Sequence, residues 1–131
     1  MKTQYRAVVV GGGVVGTSLL YHLCKMGWED SVLLEKLELT SGSTWHAAGL
    51  LPLFNMSYSV GKIHKYSVDL YQKLEEETGQ PVSFHKNGNL RLARSQERMD
   101  EYRRYSGTAS TIGVPYHLIG PEDIKKLWPF A

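Results

Sequence analysis

Apolar positions change their period several times along the chain, and each change marks an element. Residues 5–10, "YRAVVV", form a continuous β-branched and apolar run, as a strand buried on both faces requires. "GGGVVG" at 11–16 interrupts it. Apolar residues then recur at Val15, Leu19, Leu20, Leu23 and Met26, the three- and four-residue steps of a helix, with Gly27 where a left-handed stop belongs. "SVLLEK" at 31–36 predicts a second strand, closed by Glu35.

Residues 37–60 carry no period, because Gly42, Gly49, Pro52 and Asn55 break every candidate. A loop of that length inside a compact domain usually serves a function. A helix is expected over 60–78, with Ile63, Ser67, Leu70 and Leu74 on its inner face, His64 and Tyr66 as partly buried packing residues, and Gly79 as its stop. "VSFHKNGNLRLA" at 82–93 alternates around Asn87-Gly88, which predicts a hairpin pairing Val82 and Phe84 with Leu90 and Leu92, and leaves His85 and Lys86 to solvent. Ser95 reads as the N-cap of a helix over 96–111, with Met99, Tyr102, Ala109 and Ile112 inward. "VPYHLIG" reads as a short strand. "PEDIKKLW" starts a helix with Pro121 early and acids in its first turn. No internal repeat is present.

The order strand, glycine turn, helix, strand predicts an α/β fold built on a Rossmann-like, doubly wound sheet, followed by the start of a second, mixed sheet. The 131 residues suffice for one modest domain, and 42% apolar content is enough for a core. The ending "KKLWPFA" falls inside a helical pattern without a cap, so the chain is expected to be the front of something longer. No signal peptide or apolar run of about 20 residues is visible, which predicts a cytoplasmic chain with no membrane span.

Charge narrows the chemistry. Fifteen basic and 13 acidic residues give a net charge of +2, too weak a field to imply a nucleic-acid partner. Arg91, Arg94, Arg98, Arg103 and Arg104 alternate with Glu97, Asp100 and Glu101, the pattern of a solvated helix face. The single cysteine, Cys24, excludes an internal disulfide and a cysteine-only metal site, and its helical setting predicts a buried small residue. No metal site is expected.

Gly11, Gly13 and Gly16 supply G-x-G-x-x-G between a strand and a helix. Gly11 permits the tight turn, Gly13 lets backbone approach a pyrophosphate, and Gly16 lets helix and strand pack closely. The phosphates would meet the N–H groups and dipole at the helix start. Glu35, 24 positions after Gly11, can accept hydrogen bonds from an adenosine ribose, and its charge would repel a 2′-phosphate, so NADP is disfavoured. These features do not separate NAD from FAD. The loop does: Ser43 and Thr44 within "SGSTWHAAGLL" suit a place where backbone approaches an isoalloxazine ring and its phosphate chain, whereas an NAD fold continues quickly into another helix. His46, alone among small residues, is open to two readings, ligand contact or packing. Trp45 reads as a packing residue.

The fingerprint at 11–16, Glu35, "GSTWHAAGLL", "GNLRLA" and the final "LWP" together resemble the amine-oxidising flavoproteins of the D-amino-acid-oxidase superfamily, and within it the sarcosine and dimethylglycine dehydrogenase group. The resemblance runs from Tyr5 to Trp128. It implies that residues 1–80 are the first part of an FAD-binding domain and that 81–131 start an incomplete substrate or cap domain. It also implies FAD joined covalently to His46, through an imidazole nitrogen and the flavin 8α-methyl carbon. The remaining cofactor contacts would come from Gly12, Val15 and Lys36 around the turn and from Gly49 and Leu50 beyond it.

The implied reaction is oxidation of a secondary or tertiary N-methyl amine by hydride transfer to FAD. The methyl then leaves as formaldehyde or passes to tetrahydrofolate in a C-terminal portion outside this chain. No catalytic residue is assignable within the chain, and the electron acceptor is not encoded in it. Eukaryotic members begin with a mitochondrial transit peptide, so the group's pattern points to a bacterial, cytoplasmic version here. Two rivals stand beside this reading. One is the non-catalytic regulatory subunit of pyruvate dehydrogenase phosphatase, from the same superfamily; the other is an NAD-dependent dehydrogenase.

Overall fold

The computed structural model describes residues 2–130. The chain forms two compact units, one ending at Leu50 and the other beginning at Leu51.

In the first unit, strand β1 (Ala7–Val10) and strand β2 (Ser31–Leu34) pair in parallel, with Ala7 opposite Ser31 and Val10 opposite Leu34. Helix α1 (Val14–Lys25) makes the crossover between them, as parallel pairing demands. It ends at Met26, and Gly27 follows with φ +82°, the left-handed residue expected there. The Arg6 guanidinium sits 3.9 Å from the centre of the Trp28 ring, tying the strand entry to the helix exit.

Helix α1 is turned differently from its apolar stripe. Gly16, Thr17, Leu20 and Leu23 are partly covered, whereas Val15 is 79% exposed and Leu19 and Met26 are also open. Cys24 is exposed as well, contrary to its expected burial. The reason is Gly16: its lack of a side chain lets α1 approach β1 along the Gly16 line, which rotates Val15 and Leu19 off the sheet.

In the second unit, helix α2 (Tyr58–Thr78) begins two residues before the predicted start and ends at Gly79, φ +68°. Its buried positions are Gly61 and Val68, with His64 and Leu74 half-covered, while Ile63 is 64% exposed. The inner face is therefore set by Gly61, not by the largest apolar side chains. A Cβ on Gly61 would lie 2.4 Å from Ile112 Cδ1, so the glycine makes room for the side chain that ends helix α3 (Gln96–Ile112).

Helix α3 starts as expected, with the Ser95 hydroxyl accepting from the Arg98 N–H at 3.3 Å. Ala109 and Ile112 from α3 form the core with Val114, packed by Leu53, Phe54 and Tyr116. On the solvent side Arg98 pairs with Glu101, and Arg103 with Asp100 at 2.5 Å, the exposed charged face that the sequence predicts. Helix α4 (Pro121–Leu127) carries Pro121 at its start and Glu122 and Asp123 in its first turn.

The two strands of the expected hairpin and the short strand expected after α3 are not formed. The hairpin at 82–93 has no ladder among the described residues, because helices hold both of its arms. Phe84 packs on Tyr71 of α2 with ring centres 6.2 Å apart, and the Lys86 ammonium donates to Gln72 Oε1 at 3.4 Å. On the other arm, the Leu92 carbonyl accepts from the Tyr102 hydroxyl of α3 at 3.4 Å. Ser83 at φ +49° also breaks the extended backbone. The "VPYHLIG" segment is taken up by other bonds: the Val114 N–H donates to Ala109 O at 2.9 Å to close α3, and Tyr116 packs on Phe54. No described helix is long and apolar enough to cross a membrane, and no described group of His, Cys, Asp or Glu could hold a metal.

Candidate functional site

The site is built where β1 and β2 end and α1 begins. Gly11 turns the chain at φ +105°, a conformation that L side chains rarely adopt, and its N–H donates to Leu34 O at 2.8 Å. The chain then doubles back so tightly that a Cβ on Gly16 would stand 1.9 Å from the Gly11 carbonyl oxygen. No side chain fits there. Sterics therefore require the first and last glycines of the fingerprint in just the roles its spacing predicts.

Gly12 has a separate reason. A Cβ on it would meet Leu39 Cδ2 at 2.6 Å and the Glu35 side chain at 3.1 Å. The Gly12 N–H donates to Glu35 Oε2 at 2.6 Å, while Glu35 Oε1 accepts from the Lys36 N–H at 2.7 Å and the Leu37 N–H at 3.0 Å. These donors, the Gly12 N–H foremost, hold the Glu35 carboxyl below the usual carboxylate range.

The loop after β2 folds back over the turn. The Thr40 N–H donates to Gly12 O at 3.0 Å, and Thr40 holds φ +67°, unusual for a branched residue and a mark of a constrained loop. Residues Ser43–His46 then form one 3-10 turn. Its Thr44 hydroxyl accepts from the Val14 N–H at 2.9 Å, and a Cβ on Gly13 would come within 3.0 Å of that same hydroxyl. The first intrahelical bond of α1 runs from the Thr17 N–H to Gly13 O at 3.0 Å. The N–H groups of Val14, Val15 and Gly16 thus precede any helical acceptor, and Thr44 takes one of them.

The fold brings Gly11, Gly12, Gly13, Gly16, Glu35, Lys36 and Thr44 together, along with the backbone of Val15, whose side chain points to solvent. Ser43 and His46 lie on the 3-10 turn next to them. Gly49 and Leu50 follow it, and among the described residues no hydrogen bond joins either to the glycine turn. The sequence reading missed Leu39 and Thr40. A leucine set between Glu38 and Thr40 in a largely polar loop was a usable signal; nothing in the sequence marked the Thr40 backbone.

The surroundings suit a dinucleotide: glycines that a Cβ would block, and helix N–H groups at the strand ends, where open α/β sheets bind ligands. Residues 6–131 match the DAO family, described as FAD dependent oxidoreductase. The chain belongs to that family. It is 49% identical over 128 residues to the mitochondrial dimethylglycine dehydrogenase of Rattus norvegicus, covering 98% of this chain and 15% of that protein. It is 39% identical over 129 residues to the mitochondrial pyruvate dehydrogenase phosphatase regulatory subunit of Mus musculus, again covering 98% of this chain and 15% of the relative. The fold is that of the glycine oxidase of Bacillus cereus ATCC 14579, with TM-score 0.73 at 21% identity over 97% of this chain and 36% of that one. The chain thus spans about a seventh of the length of these two curated relatives, and the family match takes in all but its first five residues.

Proposed function

We propose that this chain is the front part of a flavoenzyme that oxidises a small secondary or tertiary N-methyl amine, of the dimethylglycine or sarcosine type, with FAD attached covalently to His46. Residues 1–80 belong to the FAD-binding domain in this reading, and 81–131 open the substrate domain. FAD, when bound, supplies the two-electron acceptor for hydride from the substrate's N-methyl carbon.

The residues present have separate tasks. The Val15 and Gly16 N–H groups face the pyrophosphate, and Gly13 keeps that approach clear. Glu35 accepts from the ribose hydroxyls, its charge secured by its backbone donors. Lys36 and Ser43 border the adenosine and phosphate regions, and Gly49 and Leu50 leave room for the ring. A neutral imidazole at His46 is a competent nucleophile at physiological pH. The single observation that carries the reading is the Thr44 hydroxyl on the Val14 N–H at 2.9 Å, which fixes the turn bearing His46 to the phosphate end of α1.

The experiment is a peptide map of the intact protein after acid denaturation and trypsin. The reading expects an FAD-mass adduct on the fragment from Leu37 to Lys62, localised to His46. Flavin that washes out free leaves a flavoprotein in which His46 is only a contact. Absence of any flavin favours a regulatory protein, the second reading that the 39% identity to the phosphatase subunit supports. Tight binding of NAD alone would replace both with a dehydrogenase of the NAD class.

A further inference from the structure

The 3-10 turn leaves the two rings of Trp45 and His46 in direct contact, with centres 4.6 Å apart and planes inclined at 46°. The turn is fixed at several points. The Trp45 N–H donates to Thr40 O at 3.2 Å, the Ala47 N–H to Thr44 O at 3.1 Å, and the Thr44 hydroxyl accepts from Val14. The His46 ring itself has no hydrogen-bond partner among the described residues. Among the described residues its one ring neighbour is the indole, and the indole is 68% exposed, so burial of Trp45 does not account for the contact.

We infer that Trp45 is a positioning residue for His46, holding the imidazole in one orientation while leaving both ring nitrogens unbonded. The inference rests on the proposed attachment of FAD at His46. A hydrogen-bond partner would orient the ring as well, but it would occupy a nitrogen; an indole in tilted contact restricts χ1 and χ2 and leaves the lone pair free.

The step it serves is formation of the bond between an imidazole nitrogen and the flavin 8α carbon. One hydrogen leaves the flavin 8α-methyl carbon as a proton, and the imidazole lone pair forms the N–C8α bond. The imidazole N–H proton is then released. Two electrons pass into the isoalloxazine ring, which takes up two protons and is reoxidised by dioxygen, giving hydrogen peroxide.

The test starts from flavin-free intact protein, adds FAD, quenches in acid at intervals and measures protein-bound flavin fluorescence on a denaturing gel. The affinity for FAD before attachment is measured separately by fluorescence quenching. Trp45→Ala should slow attachment between about two- and tenfold with unchanged affinity, the effect of losing one aromatic contact, and Trp45→Phe should restore most of the rate. Equal rates in wild type and Trp45→Ala would overturn the inference while leaving His46 as the tether. Affinity lost in proportion to rate would also overturn it, by making Trp45 a wall of the cofactor pocket. A wild-type protein that attaches no flavin would remove the tether reading itself and the inference with it.

Discussion

The Gly12 N–H donates to the Glu35 carboxylate at 2.6 Å, linking the glycine turn to the end of the next strand across 23 positions of sequence. The bond makes the carboxylate part of the turn's own architecture before any ligand arrives. Because it favours the charged form, Glu35 titrates below its ordinary value of 4.5. A depressed folded pKa means that its stabilisation is fully present above 4.5 and is lost as pH falls through the folded value. Unfolding midpoints of wild type and Glu35→Gln should therefore differ at neutral pH and converge in acid. A constant gap at every pH would remove the carboxylate charge from the account.

Cofactor affinity follows from the same residue. Glu35→Ala removes a charged acceptor that the proposed reading places on the ribose hydroxyls, so FAD should bind at least about tenfold more weakly in a fluorescence titration. Unchanged affinity would take Glu35 out of the site. Gly13→Val should abolish binding outright, since even a Cβ there comes within 3.0 Å of Thr44 Oγ1 and a branched side chain would fill the phosphate approach.

Gly16→Ala tests the strand–helix contact. The new Cβ would stand 1.9 Å from backbone, the Gly11 carbonyl oxygen, which cannot swing aside as a flexible side chain can. We expect a loss of about 3 kcal/mol or more in urea unfolding, at the upper end of overpacking costs, and no retained flavin. A variant of wild-type stability would show that α1 can withdraw from β1 without cost.

Gly61→Ala tests the second unit. Here the obstacle is Ile112 Cδ1 at 2.4 Å, the far end of a side chain, so the cost should be about 1–3 kcal/mol and partly reversible. Ile112→Val deletes that methyl. The double variant should be more stable than the sum of the two single losses predicts, a coupling that unfolding of all four proteins measures.

Local pattern made several elements of this chain legible. The glycine fingerprint, β1, β2, the Ser95 cap, the Gly79 stop and the Pro121 start all depend on chemistry within a few residues of each. The rotation of α1 and α2 was not legible, because in both helices a glycine sets the buried face. Periodicity counts large apolar side chains, and so it pointed to Val15, Leu19 and Ile63, which are exposed. The Asn87-Gly88 signal pointed to a pairing that does not form, although Gly88 does hold φ +83°.

By itself the sequence determined the strand–turn–helix–strand unit, the acid that closes it and the motif around His46, since spacing and backbone stereochemistry are local properties. Tertiary structure decided the rest. Contacts between distant segments placed Thr44 on the helix start, Glu35 on Gly12 and Phe84 on α2, and such contacts follow from packing at close quarters, where one absent Cβ outweighs several apolar side chains.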